Sequence, residues 1–129
     1  MKKIGISVLF LAFLMINPVC AENKGNIAVA AEGNTPTAEV SGVAARSPYF
    51  LIFDGAGKLL EAVDNPYKAA RKQAGASVVP FLAQKGVTLV VAGEFGKNMI
   101  EAMKERSIEY MEFQGSAEGA LKKALEAKK

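Results

Sequence analysis

Apolar and polar positions follow one another in blocks along the chain, and these blocks predict a series of strands and helices. Short apolar runs bounded by Gly, Asn or Pro are typical of buried strands, whereas apolar residues three or four positions apart are typical of core-facing helices. The strands predicted in this way are 26–31, 48–53, 58–63, 87–92 and 108–113. The run 87–92 is nearly continuous in apolar side chains, as expected of a central parallel strand.

Helices are predicted between the later strands. We expect a short helix over 77–85, with Gly75 interrupting the chain before it and Pro80 at its third position, where a missing N–H has no intrahelical partner. A second helix follows Gly96, and a third begins after Ser116 as its N-cap. The element order β-β-β-α-β-α-β-α predicts an α/β fold, with one mixed sheet of about five strands flanked by helices.

The N-terminal residues 1–21 have the pattern of a targeting segment rather than of a strand or helix of the domain. Two lysines precede an uncharged apolar stretch, residues 4–16, which is shorter than the ~20 residues that a membrane-spanning helix needs. Val19 and Ala21 are the small residues that typically stand three before and one before a signal-peptidase cut. We therefore predict a signal peptide over 1–21 with cleavage after Ala21, export to the periplasm, and no stable membrane span afterwards. The expected mature domain is 22–129.

Composition limits the chemistry that this domain can perform. The chain has no His, and its single Cys, Cys20, lies in the predicted signal peptide. Disulfides within 22–129, Cys/His zinc sites and triads that use His or Cys are therefore excluded. A directly bound metal would need carboxylates, carbonyls or methionine sulfur. Sulfur suits copper(I), but we expect core packing for Met99, Met103 and Met111.

Charge argues against a nucleic-acid partner. The predicted cleavage removes two of the 16 Lys and Arg residues and none of the 13 Asp and Glu residues. The mature domain is therefore close to neutral, and its cations form no basic block.

Candidate binding residues follow the first and fourth predicted strands. In sheets of this kind, ligands bind beyond the carboxyl ends of parallel strands, and the free N–H groups at a helix start suit an anion or an anionic cluster. Gly93 and Gly96 could instead serve only a tight turn. Glu32 and Glu94 could ligate a metal or simply be solvated. Arg46, in the loop 32–47, could add positive charge to the site or be solvated. The predicted ligand-binding residues are Glu32, Gly33, Arg46, Gly93, Glu94, Gly96, Lys97 and Asn98. No catalytic residue is predicted.

Several short motifs occur in a distinctive order and spacing, and they extend over essentially the whole mature chain. They are Ile27-Ala28-Val29-Ala30, Arg46-Ser47-Pro48-Tyr49-Phe50, Asp64-Asn65-Pro66, Ala92-Gly93-x-x-Gly96-x-Asn98 and Ser116-Ala117-Glu118-Gly119-Ala120-Leu121. In this arrangement the chain resembles the dinitrogenase iron–molybdenum cofactor biosynthesis domain family, which comprises nitrogenase accessory proteins and small stand-alone relatives.

The resemblance implies an RNase H-like fold and a non-catalytic role, with carriage of iron–sulfur or iron–molybdenum cluster precursors in the nitrogenase members. The chain departs from the family in the loop before the second strand. Members commonly carry a His and a Phe-Gly pair there, and this sequence has Val43-Ala44-Ala45-Arg46-Ser47. Export is a second departure, because nitrogenase assembly is cytoplasmic.

Three functions of different classes remain open. The preferred one is an exported, non-catalytic binding or carrier protein for a metal cofactor, a cluster or a small anion. The second is a ligand-free interaction module that docks a redox or transport partner through the edge 108–113 or through exposed loops. The third is an RNase H-like nuclease with Glu32, Asp54 and Asp64 as metal ligands. The last two of these acids stand at opposite ends of a predicted hairpin, which predicts poor convergence.

Overall fold

The computed structural model describes residues 25–70 and 72–127, so the predicted signal peptide and its cleavage site lie outside the described residues. The elements follow in the predicted order: β1 Asn26–Ala31, β2 Tyr49–Phe53, β3 Leu59–Asp64, α1 Ala74–Ala83, β4 Val87–Ala92, α2 Lys97–Glu105, β5 Glu109–Glu112 and α3 Ala117–Ala127, with a 3₁₀ turn at Ala44–Arg46. This confirms the predicted α/β class and element order. Among these residues no helix is long and apolar enough to cross a bilayer.

The five strands form one mixed sheet in the order β3-β2-β1-β4-β5. Strands β1, β4 and β5 are parallel, whereas β2 and β3 are antiparallel hairpin partners on the other side of β1. The carboxyl ends of the three parallel strands therefore meet at one edge of the sheet, which we call the carboxyl edge. It is marked by Ala31, Ala92 and Glu112.

Two apolar layers hold the helices against the sheet. Helices α1 and α2 pack on one face, and α3 packs on the other. Alternate residues of each central strand face opposite layers, and β1 is buried on both faces. The three methionines considered for copper do not converge, because Met99 and Met103 belong to the first layer and Met111 packs against the second. Core packing, as expected, accounts for all three.

The start of α1 differs from the prediction. The helix begins at Ala74, so Gly75 lies inside it and Pro80 occupies an interior position. The prediction was wrong because it treated the glycine as a break, whereas the structure uses it for close helix packing. A Cβ at this position would lie 2.8 Å from Met99 Cβ and 2.9 Å from the Met99 backbone N. The missing side chain lets α1 approach the first turn of α2.

Side chains expected at turns and caps are found there. The Asp54 carboxylate accepts hydrogen bonds from the N–H groups of Ala56 and Lys58, both at 2.9 Å, and closes the β2–β3 hairpin. Ser116 Oγ accepts the N–H of Gly119 at 3.1 Å and so caps α3.

Candidate functional site

The long loop after β1 folds back over the carboxyl edge and is held there by backbone hydrogen bonds. Ser41 N–H donates to the carbonyl of Ala30, and Gly93 N–H donates to the carbonyl of Ser41, both at 2.8 Å. A Cβ at Gly93 would lie 2.8 Å from Gly42 Cα, so only glycine permits this close approach. Residues 42 and 43 consequently divide the carboxyl edge into two hollows.

One hollow is acidic. It has a volume of about 550 Å³, and two exposed carboxylates contribute to its wall. The other lining residues are three glycines, one valine and one glutamine. The lining residues are Glu39, Val40, Gly42, Gly93, Glu94, Gln114 and Gly115.

The second hollow is basic, and it lies between the beginnings of α1 and α2. It has a volume of about 440 Å³ and includes one arginine, one lysine and no carboxylate. Its most deeply buried lining residues, Ala74, Gly75 and Met99, are apolar. We call it the basic hollow, and its lining residues are Val43, Ala45, Arg46, Gln73, Ala74, Gly75, Gly96, Lys97, Asn98 and Met99.

Two helix N-termini open onto the basic hollow. The first intrahelical bonds run from Ser77 N–H to the Gln73 carbonyl in α1 and from Ile100 N–H to the Gly96 carbonyl in α2, both at 3.0 Å. The N–H groups of residues 74–76 in α1 and 97–99 in α2 precede these donors, so they have no acceptor inside their own helix. Neither helix has a side-chain cap. N–H groups and the positive ends of two helix dipoles therefore face the same space, and both favour an anion.

Arg46 stands at the wall of the basic hollow, at the end of the 3₁₀ turn. Its side chain is exposed, and its Nη1 donates a hydrogen bond to the carbonyl of Ala70. The guanidinium carries five N–H donors, so this bond leaves donors for a ligand. Lys97, at the first position of α2, is the second cation of the hollow.

The predicted site residues divide into three groups. Arg46, Gly96, Lys97 and Asn98 come together in the basic hollow. Gly93 and Glu94 line the acidic hollow, while Glu32 and Gly33 line neither. Sequence reasoning missed the start of α1, where Gln73 has a left-handed φ of 58° and is not a typical N-cap. The signal that could have found it is the apolar spacing Ala74, Val78 and Leu82.

The donor set of the described residues does not suit direct coordination of a metal. No group of three or more His, Cys, Asp or Glu side chains converges within 25–70 and 72–127. In particular, the strand register places Asp64 level with Ala31, at the carboxyl edge, and Asp54 beyond the opposite edge of the sheet. Glu32, Asp54 and Asp64, the three acids considered as metal ligands of a nuclease, therefore do not converge. The charges that line the basic hollow favour an anion over a bare cation.

No curated protein sequence matches the chain, but solved structures share its fold. The apo form of the orange protein from Desulfovibrio gigas matches with a TM-score of 0.74 and 24% identity, covering 79% of this chain and 88% of that one. A Thermotoga protein described as a NifB protein matches with a TM-score of 0.69 and 30% identity over the same shares of the two chains. A protein of Methanocaldococcus jannaschii described as a dinitrogenase matches with a TM-score of 0.55 and 14% identity, covering 81% and 90%.

Comparison of the sequence with family models identifies the family. The resemblance found in its motifs is confirmed by a family model that matches residues 25–127, from the start of β1 to the end of α3. The chain belongs to the dinitrogenase iron–molybdenum cofactor family.

Proposed function

We propose that this protein is an exported, non-catalytic binding or carrier protein that holds an anionic metal cofactor, an anionic cluster or a small anion in the basic hollow. The observation that carries the proposal is the convergence of Arg46, Lys97 and the starts of α1 and α2 on one space without a carboxylate. Membership of a cofactor family supports a metal-containing cargo.

The mode of binding follows from the side chains that are present. Residues 22–129 contain neither Cys nor His, so the usual thiolate and imidazole ligands of iron–sulfur clusters are missing. The cargo would instead be held by charge and by N–H donors, while the buried apolar lining residues accept the less strongly hydrated parts of its surface. Such a mode leaves the inner coordination of the cargo unchanged, which suits a carrier that must pass it on.

The first experiment asks what the protein carries in its own compartment. The chain is purified anaerobically from the exported fraction, and one sample is used for intact mass and elemental analysis. A mass beginning at Glu22 with near-stoichiometric iron, molybdenum or copper is the expected result. The same mass without metal and without a small-molecule adduct would contradict carriage, and a mass that includes residues 1–21 would contradict cleavage.

A second experiment tests the basic hollow directly. Molybdate and tetrathiomolybdate are titrated into the metal-free protein, and binding is followed by calorimetry and equilibrium dialysis. Because hydrogen bonds to charged groups contribute about 1.5–3 kcal/mol, Lys97→Ala should weaken binding roughly tenfold or more. Lys123→Ala is the matched control, since this lysine is exposed on α3 and lines neither hollow. Equal affinities of the two variants would count against the site.

The ligand-free interaction module is the second candidate, and one feature of β5 favours it. Tyr110 is 42% exposed on this edge strand, and its ring lies against Phe95 with centroids 5.0 Å apart. The charges of Glu109 and Glu112 on the same strand are, however, a common protection against strand addition. Tight capture of one protein from the exported fraction by a ligand-free sample, lost on Tyr110→Ser, would favour docking over carriage.

A further inference from the structure

Asn65 is a buried amide that joins the two chain segments beside the basic hollow. It is only 1% exposed and does not line the hollow itself. Its Nδ2 donates to the carbonyls of Ala45 and Ser47 at 2.9 and 3.0 Å, and its Oδ1 accepts the N–H of Tyr67 at 2.9 Å. Both amide hydrogens and the amide oxygen are thus in use, which is how a polar group is accommodated in a core.

The two carbonyls that Asn65 holds belong to the residues on either side of Arg46. The backbone that carries this arginine is therefore fixed from both directions. The bond to Tyr67 N–H meanwhile begins the turn that leads to Ala70, because Ala70 N–H donates to the Tyr67 carbonyl at 3.0 Å. Ala70 supplies the carbonyl to which the guanidinium donates.

We propose that Asn65 is the positioning residue for Arg46: one amide fixes the backbone under the guanidinium and the turn that supplies its carbonyl acceptor. An exposed arginine otherwise loses much rotamer freedom when it binds a ligand. A side chain already held at the wall of the hollow loses less, so Asn65 raises anion affinity without contact with the anion. This last step rests on the proposed function, whereas the ordering of Arg46 does not.

The variant Asn65→Asp tests the inference with little change of shape. It keeps an oxygen for the Tyr67 N–H, but it removes both donors and turns a carboxylate oxygen toward the Ala45 and Ser47 carbonyls. Asn26→Asp is the matched control. Asn26 also donates through Nδ2 to a backbone carbonyl, that of Lys85 at 2.7 Å, but it lies at the opposite end of the sheet. Asn26 is only half-buried, so the stabilities of both variants are measured and the readout below is compared at matched stability.

The first readout needs no ligand. The ¹⁵N–¹H heteronuclear NOE of the Arg46 Nε–Hε group reports the order of this side chain, and thermal unfolding reports stability. We expect the NOE to fall in Asn65→Asp and to remain at the wild-type value in Asn26→Asp. An NOE that is unchanged in Asn65→Asp, or that falls equally in the control, would overturn the inference. Should Asn65→Asp not fold, Asn65→Ser, which retains one donor, replaces it.

The second readout is a double-mutant cycle with tetrathiomolybdate as the probe. Asn65→Asp should weaken binding about tenfold in the wild-type background, the scale of one charged hydrogen bond, and have little further effect in Arg46→Gln. Equal losses in both backgrounds would mean that Asn65 acts otherwise than through Arg46, and would contradict the proposal. If the wild-type protein binds no probe, the proposed function fails, while the NOE still decides whether Asn65 positions Arg46.

Discussion

Replacing Gly75 by Ala should destabilise the domain, because α1 and α2 touch through this position. The added Cβ would lie 2.8 Å from Met99 Cβ, 2.9 Å from Met99 N and 3.1 Å from Met99 Cα. Two of these atoms are backbone, so a side-chain rotation cannot relieve the contact and one helix must shift. Overpacking of this kind costs about 1–3 kcal/mol, and the better helix propensity of Ala offsets up to about 1 kcal/mol. A net loss of ~1–2 kcal/mol lowers Tm by roughly 5–15 °C for a domain of this size.

Gly96→Ala is the control for that measurement, because both glycines line the basic hollow at the start of a helix. A Cβ at Gly96 meets no heavy atom within 4 Å, and its φ of −75° is accessible to any residue. Gly96 is, however, the N-cap of α2, where Ala is less favourable than Gly by up to about 1 kcal/mol. Urea and thermal unfolding, followed by circular dichroism, should therefore show a larger loss of stability for Gly75→Ala than for Gly96→Ala. Equal stabilities of the two variants would refute the close-packing argument.

Three further predictions concern positions outside the basic hollow. Ser107→Gly should stabilise the protein by about 0.5–1 kcal/mol in urea unfolding, because Ser107 has a φ of 58° at the end of α2, where glycine is free of strain; an unchanged midpoint would contradict this. The pKa of the Asp54 carboxyl lies below its usual range because Lys58 N–H donates to it. The carboxylate therefore stabilises the wild type relative to Asp54→Asn above about pH 4, and this difference is lost as the pH falls further. Urea unfolding of both proteins at pH 7 and at pH 3 checks this. Gly93→Ala should push away Gly42 and speed amide exchange at position 93, because the N–H there donates to the Ser41 carbonyl of the loop; unchanged exchange would refute the close approach.

The strands could be predicted from the sequence because their signals are local. The apolar runs of β1 and β4 give the bounds 26–31 and 87–92 that the structure has, and the predicted edge strand 108–113 is shortened to Glu109–Glu112. The start of α1 could not be found in the same way. Gly75 is favourable there only because Met99, far along the chain, occupies the space that a side chain would need.

The position of part of the candidate site could be predicted from the order of the elements. Topology alone brings the residues that follow β1 and β4 to one edge of the sheet, and four of the eight predicted residues do share the basic hollow. The separation of Gly93 and Glu94 from them depends on where the loop crosses that edge. The crossing is fixed by hydrogen bonds between residues distant in sequence, such as Ala44 N–H to the Glu94 carbonyl at 3.1 Å, and no local pattern encodes it.

The loop crossing also determines the sign of charge that each part of the carboxyl edge presents. Gly42 faces the hollow with Glu39 and Glu94, while Val43 faces the hollow with Arg46 and Lys97. We expect an anion to be favoured in the hollow at the helix starts and disfavoured in the hollow with the two glutamates. In the proposed function, the path of the backbone would therefore contribute to anion selectivity together with the charged side chains.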